Sequence, residues 1–186
     1  MILTGSAIVE AVRQGDISID PFSPANVNPN SYNYRLGEEI LRVVATPPQL
    51  EPPIDRHAAV RFEPVSKRDG RCLLQKRSLY LGHTLEVIGS KKHITSLIGR
   101  SSMGRLGLFV QLSANIGHNG AIHRWTLELF PALDIYVYPG QVIGQVSFWT
   151  CEGQVSPYSG WYGQYSRPMP SRFHTMVARR AGGSAE

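Results

Sequence analysis

Short runs of β-branched and aromatic residues, separated by clusters of Gly, Pro, Asp and Asn, occupy most of this 186-residue chain. Such runs predict short strands joined by turns, because branched and aromatic side chains suit a pleated sheet and the intervening residues suit tight turns. The predicted strands are 32–36, 59–62, 78–81, 94–98, 109–112, 122–130, 135–138 and 146–149. Many short strands with frequent turn signals favour an antiparallel sandwich or barrel.

One helix precedes the strands. Thr4 carries a hydroxyl suited to an N-cap, and the apolar spacing after it predicts a helix that runs to about Arg13. Gly15 suits the C′ position just past such a helix, where a left-handed conformation is common. Residues 46–55 contain four prolines and therefore predict an extended surface loop, because proline lacks the backbone donor that a central strand needs.

The length and composition of the chain fit one domain. A chain of 186 residues with 42% hydrophobic residues can bury a core of ordinary size, and no linker-like stretch divides it. We expect one domain over residues 1–175. Residues 176–186, which include Gly182, Gly183 and Ser184, predict a flexible C-terminal tail.

The charge of the chain indicates an anionic partner. The net charge is +5 and the sequence pI is about 9.4, although four arginines lie among residues 166–186. No basic run with interleaved aromatic residues occurs outside that tail, so the sequence does not predict a nucleic-acid binder. A small phosphorylated ligand accounts better for the excess of cations.

The cysteine and hydropathy patterns indicate a cytoplasmic protein. Cys72 and Cys151 are too few for a disulfide scaffold, and the N-terminus lacks the charged start and apolar run of a signal peptide. No apolar stretch approaches the roughly 20 residues that a helix needs to span a bilayer. We therefore expect reduced thiols, a cytoplasmic location and no membrane partner.

The sequence Gly-Arg-Ser-Ser-Met-Gly-Arg-Leu-Gly at residues 99–107 has the composition of an anion-binding site. Arg100 and Arg105 supply fixed positive charge, and Ser101 and Ser102 supply hydroxyl donors. A short turn of helix beginning here would also present free backbone N–H groups to a phosphate. We call Arg100, Ser101, Ser102 and Arg105 the phosphate cradle.

Glu128 lies 23 positions after Arg105, in the sequence Trp-Thr-Leu-Glu-Leu. The alternation predicts a strand in which Leu127 and Leu129 face one side and Glu128 faces a cleft or solvent. A carboxylate near a phosphate site is a candidate general acid and base. In the alternative interpretation the arginines form surface ion pairs and Glu128 is a solvated strand residue, and the spacing alone leaves both open.

Several motifs occur together and in order along nearly the whole chain. They are Gly-Arg-Ser-Ser-x-x-Arg-Leu-Gly at 99–107, Thr-Leu-Glu at 126–128, Pro-Gly-Gln-Val-Ile-Gly-Gln at 139–145, and the segments 19–22, 28–37 and 168–172. In these motifs the chain resembles the dCTP deaminase family, within the dUTPase-like superfamily. The resemblance implies a mostly β fold, a dUTPase-like distorted jelly roll or β-barrel with an N-terminal helix and a short helix on the phosphate side.

The resemblance also implies an activity and an assembly. Members of the family hydrolyse dCTP to dUTP and ammonia without a catalytic metal, in a homotrimer whose sites lie between subunits. The resemblance implies that Mg²⁺ accompanies the triphosphate, bound through phosphate oxygens. Zinc-dependent nucleobase deaminases carry His-x-Glu and Pro-Cys-x-x-Cys motifs, and this sequence contains neither, so we expect no zinc.

Residue roles follow from the resemblance position by position. Glu128 would be the proton shuttle, Ser101 and the backbone near Ala114 would hold the attacking water, and Arg105 would orient Glu128. The four residues of the phosphate cradle would contact the phosphates. Further ligand contacts are implied for Ala114, His118, Trp125, Thr126, Leu127, Gln145, Tyr158, Tyr162 and Gln164, with 126–128 at the pyrimidine and the last three in a tail that closes over the nucleotide.

The chain also departs from the family pattern. His118 stands where the family usually has an aspartate near the sugar 3′-hydroxyl, which argues against a coupled pyrophosphatase activity. Ala121 replaces an aromatic residue near the deoxyribose, which leaves room for a 2′-hydroxyl or a modified sugar. Trp161 and Tyr165 replace a lysine and a glutamine expected at the phosphates, and Gln164 is one position away from the replaced glutamine.

These departures leave two alternatives beside the deamination of dCTP. One is a deaminase of altered specificity, which accepts a ribonucleotide, a modified cytosine or a nucleotide with fewer phosphates. The other is a non-catalytic nucleotide-binding protein of the same fold, which retained the phosphate cradle while its tail diverged.

Overall fold

The computed structural model describes residues 1–44, 60–111 and 113–172, apart from the side chains of Trp161 and Gln164. Two α-helices occur in these ranges, Gly5–Arg13 (α1) and Ser101–Arg105 (α2), together with 3₁₀ turns at Pro24–Asn26 and Trp161–Gln164. No helix in the described part of the chain is long and apolar enough to cross a lipid bilayer. The predicted loop 46–55 and the predicted tail 176–186 lie outside the described residues.

Fifteen strands lie within the described ranges. They are Ile17–Asp20 (β1), Tyr32–Arg35 (β2), Leu41–Val44 (β3), Arg61–Pro64 (β4), Lys67–Arg68 (β5), Arg71–Leu74 (β6), Tyr80–His83 (β7), Val87–Ser90 (β8), His93–Gly99 (β9), Leu108–Val110 (β10), Ile116–Gly117 (β11), Ile122–His123 (β12), Thr126–Pro131 (β13), Ile135–Val137 (β14) and Val142–Thr150 (β15).

The strands form four antiparallel sheets. Their orders are β1-β8-β12, β10-β13-β7-β3-β4, β11-β9-β15-β2 and β14-β6-β5. One cluster of buried side chains joins α1 to strands from all four sheets. The mostly β fold predicted from the sequence is therefore confirmed, and both predicted helices are present.

The N-terminal helix begins and ends as predicted. The Thr4 hydroxyl accepts a hydrogen bond from the backbone N–H of Ala7, so Thr4 caps α1. Gln14 is the C-cap, and Gly15 follows it with φ +78°, a left-handed conformation that glycine adopts without a steric penalty. The local capping rules are sufficient to place this element.

The prediction of one strand over 122–130 is wrong. The segment divides into β12, which pairs with β8, and β13, which pairs with β7 in another sheet. The division falls at Trp125, whose backbone N–H donates to the Thr84 hydroxyl (2.9 Å) and whose indole N–H donates to the Ile88 carbonyl (2.9 Å). The change of sheet depends on these distant partners, so local periodicity does not reveal it.

Other predicted boundaries differ from the structure. The strand predicted at 59–62 is instead Arg61–Pro64, and the strand predicted at 109–112 ends at Val110. Six strands were missed: β1, β3, β5, β6, β8 and β11. Two of them, β5 and β11, have only two residues each, too few for a periodic pattern, and depend on pairing with a neighbouring strand.

The second glycine of the 139–145 motif has a packing role. Gly144 lies against Tyr34, and a Cβ at this position would lie 2.1 Å from the Tyr34 hydroxyl oxygen. Tyr34 is fully buried, and its hydroxyl donates to the Ile98 carbonyl (3.0 Å) across the sheet. Burial and the nearby Glu86 carboxylate raise the pKa of Tyr34, so the phenol remains a neutral donor.

Arg35 and Glu86 form an ion pair inside the fold. Arg35 Nε lies 2.6 Å from Glu86 Oε1, the Arg35 backbone N–H donates to Glu86 Oε2 (2.9 Å), and the Glu86 side chain is 0% exposed. A buried carboxylate of this kind is stabilised only while its partner and donors remain in place. The pair joins β2 to the segment that precedes β8.

Glu86→Gln should destabilise the fold by about 2–4 kcal/mol, because the largely buried Arg35 loses its counter-charge while the amide keeps part of the hydrogen bonding. Urea denaturation followed by circular dichroism would measure the change in the free energy of unfolding. The matched control is Glu10→Gln in the exposed Arg13–Glu10 pair, which should leave the midpoint unchanged. Equal midpoints for both variants would contradict the prediction.

Candidate active site

A cavity of about 780 Å³ lies beside Glu128, and we call it the Glu128 cavity. Strands β3, β4 and β7 supply apolar side chains to its wall, among them Val43, Phe62 and Leu81. The C-terminal segment (residues 157–172) supplies another part of the wall. Of the residues predicted to contact a ligand, seven line this cavity: Ala114, His118, Trp125, Thr126, Glu128, Tyr158 and Tyr162.

Glu128 occupies the position that the alternation predicted. It lies in β13 opposite Leu81 of β7, while its neighbours Leu127 and Leu129 are 0% exposed on the other face. The carboxylate is half-buried at the cavity wall. Leu127 belongs to the core and is 0% exposed, so it offers no accessible surface to a ligand within this chain.

Two residues missed by the sequence analysis hold Glu128 in place. Ser113 Oγ donates a hydrogen bond to Glu128 Oε2, and the Gln111 backbone N–H donates to the Glu128 carbonyl (2.9 Å). Gln111 has φ +57°, which is unusual for a residue other than glycine. The one available sequence signal was that Ser113 directly precedes Ala114.

His123 forms part of the cavity wall as a buried imidazole. It is 8% exposed, its Nδ1 lies 2.9 Å from the Arg124 carbonyl, and its ring packs 4.3 Å from the Trp125 ring. Burial lowers the pKa of His123, while backbone hydrogen bonding at Arg124 and Tyr165 opposes that shift. The ring is therefore neutral near pH 7, with Nδ1 assigned as the donor to the carbonyl.

Besides the contact of Tyr165 with His123, the C-terminal segment is attached to the cavity rim near its beginning and near its end. The Tyr158 backbone N–H donates to the Asn119 carbonyl (2.8 Å), and the Tyr158 ring stacks on His118 with centroids 5.3 Å apart. Further along, the Met169 N–H donates to the Thr126 hydroxyl (3.0 Å). Thr126 is thus an anchor for this segment, two residues from Glu128 on the same strand.

The phosphate cradle lies elsewhere on the surface of the chain. All four of its side chains are exposed on or beside α2, and none lines the Glu128 cavity. Within the described residues, Arg105 makes no ion pair with Glu128, so the predicted orienting contact is not formed inside one chain. Gln145 is also absent from the described lining of the cavity, and its Oε1 accepts a hydrogen bond from the Ser31 hydroxyl (2.8 Å).

The Glu128 cavity has a distinct electrostatic character. No lysine or arginine is present among the described residues that line it, and Glu128 is their one carboxylate. Residues 1–44, 60–111 and 113–172 bring together no group of three His, Cys, Asp or Glu side chains that could hold a metal ion. The cavity can bind a mostly apolar, uncharged group next to a proton-transferring carboxylate, while anionic groups suit the cradle.

Comparisons with known proteins agree on one family. The family model described as dCTP deaminase-like matches residues 2–151. A protein of Cytophaga hutchinsonii named dCTP deaminase, dUMP-forming, is 38% identical over 92% of this chain and 95% of its own length. A Leptospira biflexa protein of the same name is 39% identical over 87% of this chain and 90% of its own length.

A more distant relative and a solved structure extend the comparison. A Rhodopirellula baltica protein named dCTP deaminase is 36% identical over 82% of this chain and 74% of its own length. The crystal structure of 2′-deoxycytidine 5′-triphosphate deaminase from Agrobacterium tumefaciens matches with a TM-score of 0.59 and 22% identity. That match covers 79% of this chain and 47% of the solved chain, and it supports the fold.

Proposed function

The chain belongs to the dCTP deaminase-like family, and we propose that it hydrolyses dCTP to dUTP and ammonia with Glu128 as the proton shuttle. The observation that carries this proposal is the position of Glu128, the one carboxylate in a cavity whose described lining contains no lysine or arginine. A pyrimidine ring suits the apolar walls, and its C4 amino group would then lie within reach of the carboxylate.

In the proposed reaction Glu128 transfers each proton in turn. It removes a proton from the attacking water as a bond forms between the water oxygen and C4, and it passes that proton to N3 of the ring. It then carries the second proton of the added water to the C4 amino group, the C4–N bond breaks, and ammonia leaves. Ser101 and the backbone near Ala114 would hold the water, and Arg105 would orient Glu128.

These roles require a site shared between subunits. The Glu128 cavity has no cation among its described lining residues, and the cradle faces solvent away from it, so one chain alone separates the base from the phosphates. A homotrimer would bring the cradle of one subunit to the cavity of the next. Exposed apolar residues near the cradle support such an interface: Ile98, Leu106, Phe109 and Leu133.

The phosphate cradle suits Mg²⁺ only when the ion is already bound to the phosphates of the nucleotide. The cradle consists of two arginines and two serines, so it offers cations and hydroxyls rather than the carboxylates that hold a magnesium ion directly. We therefore propose that Mg²⁺ enters bound to the triphosphate oxygens, where it would neutralise part of the phosphate charge. The arginines and serines would bind the remaining phosphate oxygens.

The names of the relatives favour a second candidate, conversion of dCTP to dUMP. The relatives from Cytophaga hutchinsonii and Leptospira biflexa are both named as dUMP-forming. Against this, His118 offers no carboxylate to activate a second water, and its ring stacks on Tyr158. We therefore keep dUTP as the first product and dUMP as the alternative.

Ammonia release with chromatography of the nucleotide products tests the proposal. The panel is dCTP, CTP, dCMP, CMP and 5-substituted dCTP analogues, each with and without Mg²⁺. Formation of dUTP from dCTP would support the proposed function, and formation of dUMP would support the second candidate. Turnover of another cytosine nucleotide would indicate altered specificity. No ammonia from any of them would favour the non-catalytic binding protein.

Ala121→Phe should reduce kcat/KM for CTP more than for dCTP, by about tenfold against less than threefold, because the ring restores a wall beside the sugar. Ala121 lines the Glu128 cavity and is otherwise surrounded by protein, with 3% of its surface exposed. The cavity is therefore the space that the larger side chain would enter. Steady-state kinetics with both nucleotides measure the ratio, and thermal unfolding checks the fold. Equal losses for CTP and dCTP would remove Ala121 from the explanation of sugar selectivity.

A further inference from the structure

We propose that Ser113 is a positioning residue that fixes the orientation of the Glu128 carboxylate. The inference rests on the proposed function, because it assigns Ser113 a part in the proton transfers. Ser113 Oγ donates to Glu128 Oε2, and both residues line the same cavity. No motif in the sequence identifies this residue.

The backbone around Ser113 is attached to the catalytic strand. The Gln111 N–H donates to the Glu128 carbonyl (2.9 Å), and the Gln111 side-chain Nε2 donates to the Ala114 carbonyl (2.7 Å). Gln111 adopts φ +57°, a conformation that persists in a non-glycine residue only when its surroundings enforce it. Ser113 lies between these two attachment points, so its hydroxyl is held near Glu128.

The amide of Gln111 has its orientation set by the same contacts. Its Oε1 is buried and has no hydrogen-bond partner among the described residues, while its Nε2 donates to the Ala114 carbonyl. The contact with Ala114 fixes this orientation, because exchanging the two atoms would place an oxygen against the Ala114 oxygen. Within the described residues, Gln111 thus makes the hydrogen bond to Ala114 while its Oε1 has no partner. This supports a fixed backbone conformation for the turn that carries Ser113.

Ser113 provides the one hydrogen bond to the Glu128 carboxylate within the described part of the chain. It occupies Oε2 and leaves Oε1 without a protein donor, so a single oxygen is directed at the ligand. Proton transfer depends on the alignment of that oxygen with water, N3 and the leaving amine in turn. A carboxylate that rotates freely would lose this alignment without losing its charge.

Kinetics of Ser113→Ala and Ser113→Thr test the proposal. Ser113→Ala should lower kcat for dCTP by about 10- to 100-fold with KM changed less than threefold, because the alignment of the base is lost while nucleotide binding remains. Ser113→Thr keeps the hydroxyl and should restore kcat to within about threefold of wild type. Ser113→Cys, similar in shape but a weak donor, should behave like Ser113→Ala. Ser66→Ala, an exposed serine before β5, is the matched control.

An infrared measurement tests the hydrogen bond without requiring turnover. The carboxylate stretch of Glu128 is identified as the band that disappears in Glu128→Gln. It should shift in Ser113→Ala and Ser113→Cys and return to its wild-type position in Ser113→Thr.

An unmoved band, an unchanged kcat in Ser113→Ala, or a failure of Ser113→Thr to restore kcat would each overturn the proposal. If wild type deaminates no cytosine nucleotide, the proposed function and the catalytic part of this inference both fail, whereas a failure confined to the Ser113 variants leaves the proposed function intact.

Discussion

Glu128→Gln should lower kcat for dCTP deamination by about a thousandfold or more, because one carboxylate performs every proton transfer in the proposed mechanism. Glutamine has nearly the same shape, and its side-chain oxygen can still accept the hydrogen bond from Ser113. It cannot take a proton from water at neutral pH. KM for dCTP should change little, since in the proposed site other residues would bind the phosphates and most of the base.

Initial rates of ammonia release measure this loss, and thermal unfolding should show an unchanged midpoint, because Glu128 forms no ion pair within the described residues. Calorimetric titration of the variant with dCTP separates the alternatives. A deaminase requires turnover in wild type and retained dCTP affinity in the inactive variant. A binding protein would show the same affinity in both and no turnover in either. Turnover by Glu128→Gln at the wild-type rate would refute the proposed mechanism.

Mixing two inactive variants should restore activity if the site is shared between subunits. Arg105→Ala removes a cation from the phosphate cradle, and Glu128→Gln removes the proton shuttle, so each variant alone should be nearly inactive. In a mixed trimer, an intact Glu128 from one subunit meets an intact Arg105 from the next. Random exchange of equal amounts in a cyclic assembly gives such a pairing at about one quarter of the sites, so about a quarter of wild-type activity should return.

The experiment requires subunit exchange, which mild denaturation followed by joint refolding provides. Refolding each variant separately and mixing afterwards is the control and should give no recovery. A further control refolds the double variant Glu128→Gln, Arg105→Ala together with wild type. Activity should then come only from sites that take both Glu128 and Arg105 from wild-type subunits. Absence of any recovery after joint refolding would contradict a shared site and would require Arg105 to reach Glu128 within one chain.

The sequence was most informative where structure is set locally. The cap at Thr4, the glycine after α1 and the alternation around Glu128 each depend on residues only a few positions apart, and each is confirmed. The motif at 99–107 correctly predicts a short helix, because its turn-forming residues are contiguous. The strand and turn pattern and the family resemblance both predicted a mostly β fold, which the structure confirms.

The features that could not be predicted depend on contacts between distant segments. The hydrogen bond from Ser113 to Glu128 exists because β13 passes next to the turn at Gln111. The burial of His123 depends on Trp125 and on the C-terminal segment. The residues around His123 in the sequence therefore did not predict that its imidazole is buried. The roles implied for the phosphate cradle and Gln145 stay predictions, since one chain does not bring these residues to the cavity.

Because the C-terminal segment forms part of the cavity wall and is attached to Thr126, the cavity is completed late in the synthesis of the described residues. The last described strand ends at Thr150, whereas Tyr158, Tyr162 and Met169 complete the wall of the Glu128 cavity. During synthesis all fifteen described strands are therefore available before the cavity can close. A chain that stops after Thr150 would retain the described strands but leave Glu128 open to bulk water, so formation of the sheets and completion of the cavity wall depend on different parts of the chain.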